Sequence, residues 1–211
     1  MKNTVLITIT IMTFFSCNQD NKSKYISVEK KIEQPKDREK IPALTNFDTV
    51  SYADRGLKYA LNTQAVLGNN LMKAIESSGT SGALTFCNEK AYPLTDSMAK
   101  LQKVNLKRVT DKPRNPDNQA NAAELEHIET FKEIIANQEL PNPMISESGG
   151  KVLVYYPILT NSMCLQCHGK PNKNIASSTL SKLKILYPED KAIGYGVNEV
   201  RGLWSVTFHK Q

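Results

Sequence analysis

Over 49–78 the apolar residues Val50, Ala53, Leu57, Ala60, Leu61, Leu67, Leu71, Ala74 and Ile75 recur mostly three or four positions apart, predicting one stripe of a long helix closed by Gly79. A second helix is expected from Thr80 or Ser81, carrying Ala83, Leu84, Cys87, Ala91 and Leu94 on one face, with a kink or break where Pro93 removes an amide. Val104 to Val109 reads as a short strand, and "DKPRNPDNQA" over 111–120 as a loop. Asn121 and Glu124 have capping-box spacing ahead of a third apolar stripe, Leu125, Ile128, Phe131, Ile134 and Ile135. The period then changes. Met144 to Ser146, the turn "ESGG" and Lys151 to Leu159 predict a hairpin, and Val197 to Phe208 a last strand. Helices first and an antiparallel sheet afterwards make the class α+β, with a long N-terminal helix.

The first 47 residues break this pattern. Residues 1–17, MKNTVLITITIMTFFSC, place one Lys before an apolar stretch too short to anchor a bilayer span, which is the form of an export signal. The closing Phe-Phe-Ser-Cys resembles a lipoprotein cleavage box, so Cys17 is the expected lipidation site. Residues 18–47 are polar and rich in both charges, a solvated tether to a folded domain over 48–211. The expected location is the bacterial cell envelope, with the domain outside the cytoplasm in the periplasm. Asn18 rather than Asp after Cys17 points to the outer membrane.

Chain length and charge narrow the function classes. With 211 residues, of which 40% are hydrophobic, the chain builds one sizeable core and has no room for a second enzyme-sized domain. Its net charge of +6 comes from interspersed Lys and Glu, without basic blocks, aromatic interleaving or a zinc-finger spacing, so nucleic acid is not an expected partner.

Four cysteines in an exported chain would ordinarily suggest two disulfides. The run "MCLQCHGKP" gives them a different use. Cys164 and Cys167, with His168 immediately after, have the Cys-x-x-Cys-His spacing of covalent haem attachment, in which two thiols form thioethers and the histidine becomes an axial ligand. Zinc would need a further ligand pair, a thioredoxin-type pair would need alternating strands and helices, and a disulfide across two residues would close a small strained ring. Export favours haem, because c-type haem is attached outside the cytoplasm.

One histidine fills one axial position, and the other sets much of the iron's behaviour. Candidates are Cys87, left as the only free thiol of the mature chain, His127, His209, Met72, Met98, Met144 and Met163. His127, set among glutamates on the third helix, reads as a solvated or capping residue, and His209, near the terminus, reads as frayed. Methionines on apolar stripes are ordinarily core filler, as is a buried thiol on an apolar helical face.

Taken together, "ALTFCNEKA", "KPRNPDN", "PILTNSMCLQCHGKP" and "LYPEDKAIGYGVNEVRGLWSV" resemble the c-haem, PAS-like sensor family first described from a cyanobacterial protein and found also in chemotaxis receptors and histidine kinases. The resemblance covers 49–208. It implies a PAS-like antiparallel sheet flanked by helices, one haem c on Cys164 and Cys167, and His168 with Cys87 as the axial pair. Arg114, Asn115 and Pro116 match the family's loop motif, with Arg114 serving either a haem propionate or the loop itself.

Two functions are then expected. One is a sensor of redox state or of a diatomic gas, in which thiolate favours ferric iron and Cys87 leaves on reduction; no signalling module follows Gln211, so its output would pass to a separate signalling partner. The other is an electron-transfer cytochrome near a redox partner, six-coordinate in both states. An enzyme such as a peroxidase needs an acid–base residue over an open distal position, and no spacing in the chain supplies one.

Overall fold

The computed structural model describes residues 51–210, and the export signal, Cys17 and the 18–47 tether lie outside them. Helix α1 (Tyr52–Gln102) starts where the Ser51 hydroxyl accepts from the Asp54 amide and is interrupted once, at Gly79, whose φ of 65° only glycine adopts freely. Its two segments fold back on one another. The Gln102 side-chain amide donates to Thr63 Oγ1 at 3.1 Å, whereas 39 residues of straight helix would separate them by roughly 58 Å.

The kink expected at Pro93 does not occur, and the backbone stays helical there. Both Pro93 and Glu89, whose carbonyl loses its amide partner, are exposed, so water can take the missing donor's place. In the same stretch Thr95 Oγ1 donates to Ala91 O and Ser97 Oγ to Pro93 O, both at 2.8 Å, so these hydroxyls find acceptors within the helix.

The remaining described elements are β1 (Asn105–Val109), a 3₁₀ turn (Pro116–Asn118), α2 (Ala122–Ala136), β2 (Met144–Ser148), β3 (Lys151–Leu159), α3 (Leu165–His168), α4 (Ser177–Leu186) and β4 (Val200–His209). The capping box holds α2 as its spacing predicts. The Asn121 side chain accepts from the Glu124 amide at 2.9 Å, and the Glu124 carboxylate accepts from the Asn121 amide at 3.1 Å. Gly149 and Gly150, at φ 55° and 72°, form the two-residue turn between β2 and β3 that matches strand twist.

The sheet is wholly antiparallel in the order β1-β4-β3-β2, so the last strand enters the middle. Alternate residues divide its faces. Against one lies α1, with Ala60, Leu106, Val152, Val154, Trp204, Val206 and Phe208 as core. Gly56 marks the closest approach, since a Cβ there would stand 2.6 Å from Val154 Cβ. Against the other lies α2, where Ile128 and Phe131 pack on Val109, Tyr155 and Leu203. The architecture is the α+β arrangement expected, with a long helix first. Among the described residues no helix is long and apolar enough to cross a membrane.

Candidate functional site

After β3 the chain turns at Asn161, whose side-chain oxygen accepts from the Cys164 amide at 3.1 Å and lies 3.3 Å from the Cys164 thiol. One helical turn follows, closed by His168 N–H to Cys164 O at 2.9 Å. Residues three and four apart share a helix face, so the two thiols and the imidazole are neighbours. Gly169 is required next, because a Cβ there would meet Asn174 Cβ at 2.5 Å and the Leu165 carbonyl at 2.6 Å.

Cys87, Cys164 and Cys167 are all half-buried free thiols. Burial pushes the Cys167 thiol up to about 11 against the opposing charge of Arg114, with Cys87 and Cys164 raising it further, so it is a thiol at neutral pH. Burial likewise raises Cys87, with Arg114 and Arg108 pulling it down. Cys87 thus lies within charge range of Cys167 and Arg114. Packing agrees: Leu84, one turn before Cys87, belongs to a cluster with Ile175, Leu183 and Tyr187 against which Cys167 also rests.

His168 is fixed in one tautomer. Its Nδ1 lies 2.7 Å from the Ala192 carbonyl oxygen, which can only accept, so Nδ1 carries the proton and the lone pair is on Nε2. The Arg201 guanidinium, 3.3 Å from Nδ1, is therefore a neighbour of the ring and not its hydrogen-bond donor. Burial, then Arg114 and Arg201, holds the imidazole neutral well below its usual range. A neutral ring with Nδ1–H engaged by a carbonyl and Nε2 free is the form in which histidine ligates metal.

A clamp from the segment after α4 holds the motif. Arg114, 9% exposed, donates from Nε to Asp190 Oδ2 at 3.1 Å, from Nη2 to Cys167 O at 2.6 Å and from Nη2 to Ala192 O at 3.4 Å. Asp190 Oδ1 accepts from the Ala192 amide at 2.8 Å. The Gly194 and Tyr195 amides donate to Gly169 O and His168 O at 2.9 and 3.0 Å. Arg114 thus ties the motif's backbone to the loop that orients His168.

The other candidates lie elsewhere. His127 stacks on Tyr155, centroids 4.2 Å apart, on the α2 side of the sheet, and Met144 packs against the same core. His209 is not frayed. It pairs with Lys151 at the end of β4. Met72 is exposed on the first segment of α1, Met98 is half-buried on the second, and Met163 directly precedes Cys164. Sequence reading did not single out Asp190, Ala192, Arg201 or Arg108, of which Ala192 acts through its carbonyl and is invisible as a side chain.

As a donor set, two adjacent thiols, a neutral imidazole with free Nε2 and a third thiol fit a covalently attached iron porphyrin. Among the described residues no three His, Cys, Asp or Glu side chains converge as a bare-ion cage requires.

The fold is similar to the crystal structure of the cyanobacterial heme-protein Tll0287, at 20% identity and a TM-score of 0.54, over 74% of this chain and 95% of that one. No curated protein matches the chain. A family model described as Tll0287-like matches residues 18–208, a span that takes in Cys87, the Arg114 loop, the Cys-x-x-Cys-His turn and the clamp behind it, and the chain belongs to that Tll0287-like family.

Proposed function

We propose that this protein is an exported, lipid-anchored c-type haem protein, PAS-like in architecture, with one covalently bound haem whose iron lies between His168 and Cys87, and that it senses redox state or a diatomic gas. The observation that carries the reading is the His168 tautomer: a 2.7 Å bond to a backbone carbonyl leaves Nε2 as the free donor beside two unpaired thiols on the same helical turn. The cyanobacterial protein of similar fold is a heme-protein, which supports it. Haem, once bound, supplies an iron whose potential and open positions follow from its axial donors.

The chain's own residues do the rest. Cys164 and Cys167 present thiols for thioether attachment. The Ala192 carbonyl holds the proton on Nδ1 and so keeps Nε2 basic. Cys87 rides on the second segment of α1, whose Thr80 donates to Gln166 Oε1 at 2.9 Å, so departure of the thiol from the site is coupled to a helix already tied to the motif. Cys17 would hold the domain at the outer membrane through lipid, with residues 18–47 as tether and a separate redox or signalling protein as receiver.

The test is a pair of absorption spectra, ferric and dithionite-reduced, for wild type and Cys87→Ala made with a c-haem maturation system. Loss of the six-coordinate ferric spectrum in the variant, with carbon monoxide binding to reduced wild type, supports the sensor. Coincident spectra remove Cys87 from the iron. A wild type that stays six-coordinate in both states gives preference to the electron-transfer reading.

A further inference from the structure

Three arginines surround the motif, and they differ in how their donors are used. Arg114 is bound to Asp190, Cys167 O and Ala192 O. Arg201 donates to Thr110 Oγ1 at 2.9 Å and Lys112 O at 3.2 Å, with its guanidinium 5.4 Å from the Tyr195 ring centroid. Arg108 is the exception. On β1, opposite Trp204 of β4, it places its guanidinium 6.0 Å from the Trp204 ring centroid. Among the described residues it has neither a hydrogen-bond acceptor nor a carboxylate partner, and it is half-buried. Cys87 and Tyr92 from α1 and Tyr187 from the end of α4 lie within charge range of it, none of them a carboxylate, and Tyr92 already donates to Asn118 Oδ1 at 2.7 Å.

A half-buried guanidinium with no acceptor on the protein keeps its N–H groups for water or an anion. Its contact with the Trp204 ring uses the face of the guanidinium, and among the described residues no acceptor meets the in-plane N–H groups. Two residues after Arg108, Thr110 Oγ1 accepts from Arg201, and the Arg201 guanidinium stands 3.3 Å from His168 Nδ1, so this end of β1 borders the Cys-x-x-Cys-His turn.

Resting on the reading that this turn holds haem, we propose that Arg108 is the charge partner of a carboxylate on the bound cofactor, a haem propionate. Planar guanidinium and carboxylate match two N–H groups to two oxygens, which lysine cannot reproduce. Arg108 is thus a positioning residue for the cofactor's polar edge, while Arg114 serves the protein backbone.

The holoprotein provides the test, with Arg108→Leu and Arg108→Lys compared by resonance Raman and by denaturant unfolding. In Arg108→Leu the propionate-bending band shifts while the six-coordinate ferric signature stays, and Arg108→Lys recovers part of the shift. Folding of holo Arg108→Leu weakens on the order of tenfold, whereas the haem-free chain, relieved of a lone charge, holds its stability or gains. An unchanged propionate band overturns the proposal. So does loss of the six-coordinate signature with the band unmoved, which would assign Arg108 to Cys87, and so does equal weakening of both forms, which would make it purely structural. Should the haem-free chain not fold, the vibrational band decides alone. Failure of wild type to retain haem through denaturation overturns covalent attachment instead, and is read separately.

Discussion

The two sides of the molecule are held together by different physics. On the α2 side, Ile128, Phe131 and Leu203 are 0% exposed, Val109 is 3% exposed, and Glu124, the buried carboxylate there, both caps α2 and reaches Lys107 at 2.8 Å. Apolar burial is enough to keep such a core closed. On the side of the Cys-x-x-Cys-His turn the apolar cluster is small, and a second network of Arg114, Asp190, Arg201, His168 and backbone carbonyls fixes the chain. Burying that many polar groups is unfavourable unless each is paired. A fold needing only stability would fill this side with leucine. The polar network makes sense as a device for orientation, since its bonds converge on the backbone of Cys167 and on one nitrogen of His168.

Removing an apolar side chain and removing an arginine should therefore have different signatures. Phe131→Ala is expected to cost the most, about 3–5 kcal/mol of unfolding free energy, because the ring is fully enclosed between α2 and the sheet. Chemical denaturation reads the loss, and the haem absorption spectrum of the surviving folded protein should match wild type. A changed spectrum would mean that the two sides are coupled through the sheet.

Arg114→Leu is expected to cost about 3 kcal/mol, since it leaves the Asp190 carboxylate without its cation and the Cys167 carbonyl without its donor. Here the ferric spectrum should change as well, because Ala192, which sets the His168 tautomer, loses a hydrogen bond from the same guanidinium. Adding Asp190→Asn should recover part of the stability by neutralising the stranded charge while keeping an oxygen for the Ala192 amide. A loss below about 1 kcal/mol with an unchanged spectrum would reduce this pair to an ordinary surface contact.

The same division explains what could be read from the sequence. The capping box at Asn121, the Gly-Gly turn and the motif at Cys164 are local, and their spacing carries their geometry. Gly79 as a helix break is local too. The Pro93 kink was expected on local grounds and failed because Glu89 faces water, a fact about exposure that a lone sequence does not carry. Helix α4 and the clamp were not legible, since Arg114 meets its partners across 76 and 78 residues and one of those partners is a backbone carbonyl. Cys87 is visible as a thiol on a helical face, but only the folded chain brings it within charge range of Cys167.

A second ion pair on the α2 side sharpens the contrast through its small effect. Lys132 Nζ meets Asp111 Oδ2 at 2.7 Å and Glu129 Oε1 at 2.7 Å, tying α2 to the segment after β1. Its side chains are 36% and 18% exposed, against 10% for both members of the Arg114–Asp190 pair, so solvent screens it more. Burial alone would raise the Asp111 carboxyl, but the Lys132 hydrogen bond and charge outweigh it and hold the group below its ordinary value. A carboxyl depressed in the folded state binds fewer protons there than in the unfolded chain, so its contribution is full above the usual aspartate range, about pH 4, and fades as pH falls through the folded value. Asp111→Asn should accordingly cost less than about 1 kcal/mol at pH 7 and almost nothing at strongly acid pH, where wild type has lost the same contribution. Denaturant midpoints of the two proteins, followed from pH 7 downward, should converge. Parallel curves would mean that the depressed carboxyl contributes nothing to folding, and that Lys132 ties α2 to the segment after β1 without charge deciding the structure there.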